Sequence, residues 1–87
     1  MQTSDKVLKT GDKVYCVLTT CKAVCSGRVV STSDEMVFVY LDFESYCKNV
    51  GKPFGDVLFN FYKIEHVFTN YVEACAYFSK IIIKKEK

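Results

Sequence analysis

At 87 residues the chain has room for one hydrophobic core, and its 49% apolar and 15% aromatic content excludes a disordered polar segment. A net charge of +2, with both signs interspersed, excludes a strong field aimed at phosphate or anionic lipid, and no run approaches the roughly 18 apolar residues of a membrane span. Arg28 is the only arginine among the twelve cationic residues, which weighs against bidentate reading of bases.

Residues 1–12 are polar and end in the turn signal Thr10-Gly11-Asp12, so they read as an arm leading into the first strand. From Lys13 to Thr19 the alternation sets Val14, Cys16 and Leu18 on one face and Tyr15 and Val17 on the other. Both faces are apolar, as in a barrel strand partly covered by a helix. After the connection Thr20-Cys21-Lys22, a second strand runs from Ala23 to Thr32, with Gly27 marking a bulge or bend. Ser31 to Asp34 is a polar turn. Met36 to Phe43 is the strongest strand, with Val37, Val39, Leu41 and Phe43 opposite Met36, Phe38 and Tyr40. Glu44 to Asp56 shows no sustained period and holds Asn49, Gly51, Pro53 and Gly55, which predicts a long loop.

Alternation returns from Asp56 to Phe68, as one bent strand or two short ones. Val57, Phe59 and Phe61 face one way, Leu58, Asn60 and Tyr62 the other. At Asn70 the period changes. Asn70 followed three residues later by Glu73 is an Asn form of the capping box, and Tyr71, Cys75, Phe78 and Ile82, or Ala74, Phe78 and Ile81, recur at helical spacing. A helix is expected over 70–80. For the tail, 81–87, the three isoleucines favour a strand and the lysines suit a helix end.

Five cysteines raise the question of zinc or disulfides. Cys16, Cys21, Cys25 and Cys47 are spaced Cys-x4-Cys and Cys-x3-Cys with one sulfur far away, unlike the close Cys-x2-Cys pairs of structural zinc sites, so no metal is expected. The start, Met1-Gln2-Thr3-Ser4-Asp5-Lys6, lacks the apolar stretch of a secretory leader, so the expected compartment is the reducing cytoplasm, with thiols reduced. His66 is the sole histidine and falls in an alternating apolar run, which suits a structural role better than a catalytic one. Asp34-Glu35 and Asp42-Glu44 sit at turns and strand ends, where solvated acids are common. Gly51-Lys52-Pro53-Phe54-Gly55 lacks the spacing of a phosphate-wrapping loop. The expectation is a protein with no enzymatic activity and no cofactor.

Binding is then read from aromatics near charges. Tyr46, Lys48, Lys52, Phe54 and Tyr62, mostly in the long loop and rimmed by mixed charge, suit a protein partner. Lys13, Tyr15, Lys48, Lys52 and Lys63 are the alternative, a basic and aromatic surface for nucleic acid. The first expectation is the protein partner, the second the nucleic acid, and no membrane partner is expected. Oligomeric state stays open.

Gly11-Asp12-Lys13-Val14-Tyr15 followed by Gly27-Arg28-Val29-Val30-Ser31 resembles the opening strands of SH3-like barrels. The stretch from Glu65 to Phe78, a short strand ending in Val67-Phe68 and then a capped helix, resembles small phage and mobile-element proteins of low-GC bacteria. Tyr71 and Val72 stand where that pattern often has acids. The resemblance implies a mainly β (α+β) fold, a small SH3-like antiparallel barrel of about five strands (13–68) with one C-terminal helix. With the small size, the absence of a catalytic constellation and the aromatic-bearing long loop, the origin it implies leads to the expectation of a phage or mobile-element accessory protein that covers a surface of a host defence protein in the host cytoplasm.

Overall fold

The computed structural model describes residues 8–19, 22–53 and 58–85. Its five strands are β1 (Lys13–Leu18), β2 (Ala23–Thr32), β3 (Met36–Leu41), β4 (Phe59–Lys63) and β5 (Val67–Phe68). Among the described residues two helices accompany them, α1 (Phe43–Asn49) and α2 (Tyr71–Lys85), and a 3-10 turn, Ile64–His66, joins β4 to β5. The strands form one antiparallel sheet in the order β4-β3-β2-β1-β5, curled strongly into a half-barrel. The fold is therefore α+β and mainly β, as the alternation and the change of period at Asn70 imply.

Register decides which residues face inward. Cys16 lies opposite Cys25 and Val67, Val14 opposite Gly27, Gly27 opposite Leu41, and Val29 opposite Val39. Directly opposed residues share a face, so these side chains fill the inside of the curl together with Leu18 and Val37. Leu8, in the segment expected to be a polar arm, joins this core, and the arm is tied to β2 through the Gly11 N–H donating to Val29 O.

At Gly27 the backbone of β3 comes close to that of β2. A Cβ there would lie 2.7 Å from the Tyr40 carbonyl oxygen and 2.9 Å from Leu41 Cα, so only glycine lets the two strands approach at this point of the curl. The bulge itself falls slightly later, between Val29 and Ser31, where the register shifts.

The segment expected to be a long loop begins instead with α1. Phe43, Tyr46, Cys47 and Val50 stand at i, i+3, i+4 and i+7, and Glu44 precedes Lys48 by four, so an amphipathic turn is encoded. Two turns are too few for the period to stand out beside Asn49, Gly51 and Pro53. Tyr46 and Val50 pack against the core from α1. Gly51, at φ 133°, ends the helix in a backbone conformation that other residues rarely adopt. Phe43 accordingly leaves the inward-facing set in which the alternation had put it and is 57% exposed. The chain turns at Asp42, whose N–H donates to Ser26 O and whose carboxylate accepts from Ser26 Oγ at 2.7 Å.

The Asn70 cap forms: Glu73 N–H donates to Asn70 Oδ1 at 3.0 Å. Helix α2 runs on to Lys85, so Ile81–Ile83 are helical. It lies across the outer face of β1 and β5 and reaches β2. Ala74 and the outward-turned Val17 are sealed on that side, while Tyr77 packs its ring on Phe68 and His66. No helix among the described residues is long and apolar enough to cross a membrane.

Candidate functional site

Helix α2 covers only the β1–β5 end of the outer sheet face. On β3 and β4 that face carries Phe38, Tyr40, Phe59 and Phe61, with Phe38 opposite Phe61 and Tyr40 opposite Phe59. The inter-strand bonds fall at the alternate positions, with Leu41 N–H donating to Leu58 O and Ile64 N–H to Glu35 O. Both aromatic pairs therefore occupy the non-hydrogen-bonded sites, where opposed side chains stand closest. The rings are in contact as that geometry requires. Phe38 stacks on Phe61 with centroids 4.6 Å apart, Tyr40 meets Phe59 at 4.4 Å, and Phe38 and Phe59 lie 5.7 Å apart. Even so, Tyr40 is 41%, Phe59 48% and Phe61 58% exposed. A contiguous aromatic patch open to solvent is unusual for a surface with nothing to bind.

Tyr40 also borders a groove of about 740 Å³ that runs between α1 and the N-terminal end of α2. Its floor is the outer face of β1 and β2, with Tyr15, Val24 and Ser26, and its walls include Phe43, Lys48 and Tyr71. The Tyr15 and Tyr71 rings meet edge to face at 5.5 Å. A hydrogen bond with Cys75, one turn along α2, pushes the Tyr71 hydroxyl pKa up. One rim is held rigidly: Ser45 Oγ accepts from the Ser26 N–H at 3.0 Å, and Asn49 Nδ2 donates to Ser45 O at 2.9 Å.

β4 lies at the edge of the sheet. Its bonds to β3 are made by Leu58, Asn60, Tyr62 and Ile64 in alternation, so the backbone groups of Phe59, Phe61 and Lys63 point outward. At the centre of this edge the Phe61 N–H donates to Asn60 Oδ1 at 2.8 Å, so a side chain takes the place that a further strand would fill.

The sequence-predicted site residues do not converge. Tyr46 and Tyr62 pack against the core, so the surface they offer a partner is small. Lys48 lines the groove, Lys52 is exposed just beyond α1, and Phe54 lies outside the described residues. Of the alternative set, Lys13, Tyr15 and Lys48 share the groove, with Lys13 Nζ 5.9 Å from the Tyr15 ring, whereas Lys63 sits at the far end of β4 and Lys52 stands apart. Sequence reasoning does not single out the aromatic patch. Its signal was the period of two in β3 and β4, but both faces of those strands are apolar, and alternation does not say which face is inside.

Cys16 and Cys25 face each other in register across β1 and β2, both fully buried. Burial, reinforced by Cys25, pushes the Cys16 thiol up to about 12, so it remains protonated and unreactive near neutral pH. Cys21 lies outside the described residues. Among those described, no three or more His, Cys, Asp or Glu side chains gather as metal ligands would. His66 is half-buried, against Tyr77 and 3.9 Å from Glu65. No protein-family model, curated protein or solved structure matches this chain.

Proposed function

We propose that this chain is a non-enzymatic binding module that docks on a partner protein through the aromatic face of β3 and β4. The observation that carries the reading is the contiguous cluster of Phe38, Tyr40, Phe59 and Phe61, in which Tyr40, Phe59 and Phe61 stay exposed although the chain has a closed core elsewhere. Burying such rings at an interface gains roughly 25 cal/mol for each Å² of apolar surface removed from water, a gain the isolated chain forgoes. Aromatic residues concentrated at the centre of a patch with polar groups around it are also the usual composition of interface hot spots. Support for a role without catalysis comes from the sealed Cys16–Cys25 pair and from His66, whose ring packs on Tyr77.

Nucleic-acid binding is the second reading, favoured by Lys13, Arg28 and Lys63 on the same outer face. Against it, the rings contact one another at 4.4 and 4.6 Å with interplanar angles of 32° and 27°. Each of these contacts takes up one ring face that a base would stack on, and Arg28 is the only arginine to pair with phosphates or bases. The small size, the curled sheet and the C-terminal helix agree with the resemblance to SH3-like phage and mobile-element proteins. On that resemblance, the partner is a host protein such as a defence nuclease, covered in the host cytoplasm. Photo-crosslinking tests the docking face: a benzophenone amino acid at position 61 should capture one protein that the same group at Lys22 does not. Capture of nucleic acid, or equal capture from both positions, would refute the reading.

A further inference from the structure

We infer that the segment received by this face is acidic as well as apolar, an inference that rests on the docking face proposed above. The register places Lys13, Arg28, Tyr40 and Phe59 in a single row across four strands, because each lies directly opposite the next. Successive members are one strand spacing apart, so the row spans about 14 Å, the reach of about four extended residues. Two cations thus adjoin the rings on one side. Lys63, two residues beyond Phe61 on the same face of β4, supplies a third at another edge of the patch.

Nothing on the sheet neutralises them. The five strands contain no Asp or Glu, and among the described residues no carboxylate lies within ion-pair distance of Lys13, Arg28 or Lys63. Arg28 is held in place by one guanidinium N–H that donates to Gly11 O at 3.1 Å, and its remaining donors can meet a carboxylate. The strands that bear the aromatic patch thus carry only positive charge, while the carboxylates of the neighbouring groove are Asp42, which accepts from Ser26 Oγ, and Glu44. Such a pattern speeds the approach of an anionic partner and sets its register, while the rings provide most of the buried area. The complementary ligand has a short apolar centre of Leu and Phe flanked by Asp or Glu, with the apolar side chains on the rings and the flanking carboxylates on the cations at the edges of the patch.

The test is a titration of the isotopically labelled full chain with a short peptide that has a Leu-Phe-Leu centre flanked by Asp residues on both sides. Its Asn and Lys analogues and a short oligothymidylate are run in parallel. The Asp peptide should shift the resonances of Tyr40, Phe59 and Phe61, with an affinity that falls as salt is raised. Lys13→Glu and Lys63→Glu should each weaken it roughly two- to tenfold without altering the circular dichroism spectrum. Equal binding of the Asn or Lys peptide at those same resonances would overturn the acidic preference and leave the protein-docking face standing. Failure of every peptide, with a protein still captured from position 61, would likewise overturn the acidic preference alone. Tighter binding of the oligothymidylate on the rings would overturn both.

Discussion

Replacing Gly27 by alanine measures how far the fold depends on the close approach of β2 and β3. The new methyl carbon would meet Tyr40 O at 2.7 Å, Leu41 Cα at 2.9 Å and Val39 Cγ1 at 3.0 Å. Carbon contacts settle at about 3.5–4.0 Å, so the strands would have to part by roughly 0.5–1 Å. Two of the three obstructing atoms are backbone and cannot rotate away, and the third belongs to a side chain that is itself fully buried. Overpacking of this kind costs about 1–3 kcal/mol, and the backbone contacts put Gly27→Ala at the upper end. For a domain of this size about 3 kcal/mol lowers Tm by roughly 12–24 °C. Urea unfolding followed by circular dichroism should show a lower midpoint with an unchanged slope. Gly11→Ala is the control, because nothing lies within 4 Å of its Cβ and the only cost is its φ of 93°, worth about 1–2 kcal/mol. If Gly27→Ala stayed within about 0.5 kcal/mol of wild type, or cost less than Gly11→Ala, the account of the curl would be wrong.

Three other outcomes are expected. Because folded Cys16 keeps its proton up to about 12 while an unfolded thiol ionises near 9, its contribution is intact below pH 9 and disappears as pH rises toward 12. The stability difference between wild type and Cys16→Ala should therefore shrink above pH 9 by up to about 1.4 kcal/mol per pH unit; a difference independent of pH would refute the burial of that thiol. Phe61→Ser should cost less than about 1.5 kcal/mol in unfolding experiments, since the ring is mostly exposed, yet abolish crosslinking from position 59; a large loss of stability would make the patch structural. Asn60→Ala frees the Phe61 N–H at the centre of the edge strand and should promote association through β4, seen as concentration-dependent sedimentation. A variant that sediments as the wild type does at every concentration would show that the Asn60 cap does not guard the edge.

Local periodicity was sufficient for β1, β2 and β3, for the Asn70 cap and for the first turns of α2, because each rests on side chains close in sequence. It failed at α1. There Phe43, Tyr46, Cys47 and Val50 span only two turns, and the neighbouring Gly51 and Pro53 read as loop. The predicted binding residues fared worse for a related reason. Tyr46 and Tyr62 are amphipathic and large, and nothing local distinguishes an aromatic that closes the core from one that faces solvent. Lys13, Tyr15 and Lys48 were legible as candidates, but their convergence on one groove depends on how β1 meets the ends of α1 and α2.

The amino-acid order by itself determined the number and kind of most elements, since backbone propensity, capping and alternation act over a few residues. It also determined that Phe38 and Tyr40 share one face of their strand and Phe59 and Phe61 one face of theirs. Only the tertiary structure decided that those two faces are the same outer surface, left bare where α2 ends its coverage. The physical reason is that both faces of β3 and β4 are apolar. Burial of either would satisfy the local pattern, and the choice is made by the curl at Gly27, the packing of Tyr46 and Val50 against the core and the position of α2 on the outer face.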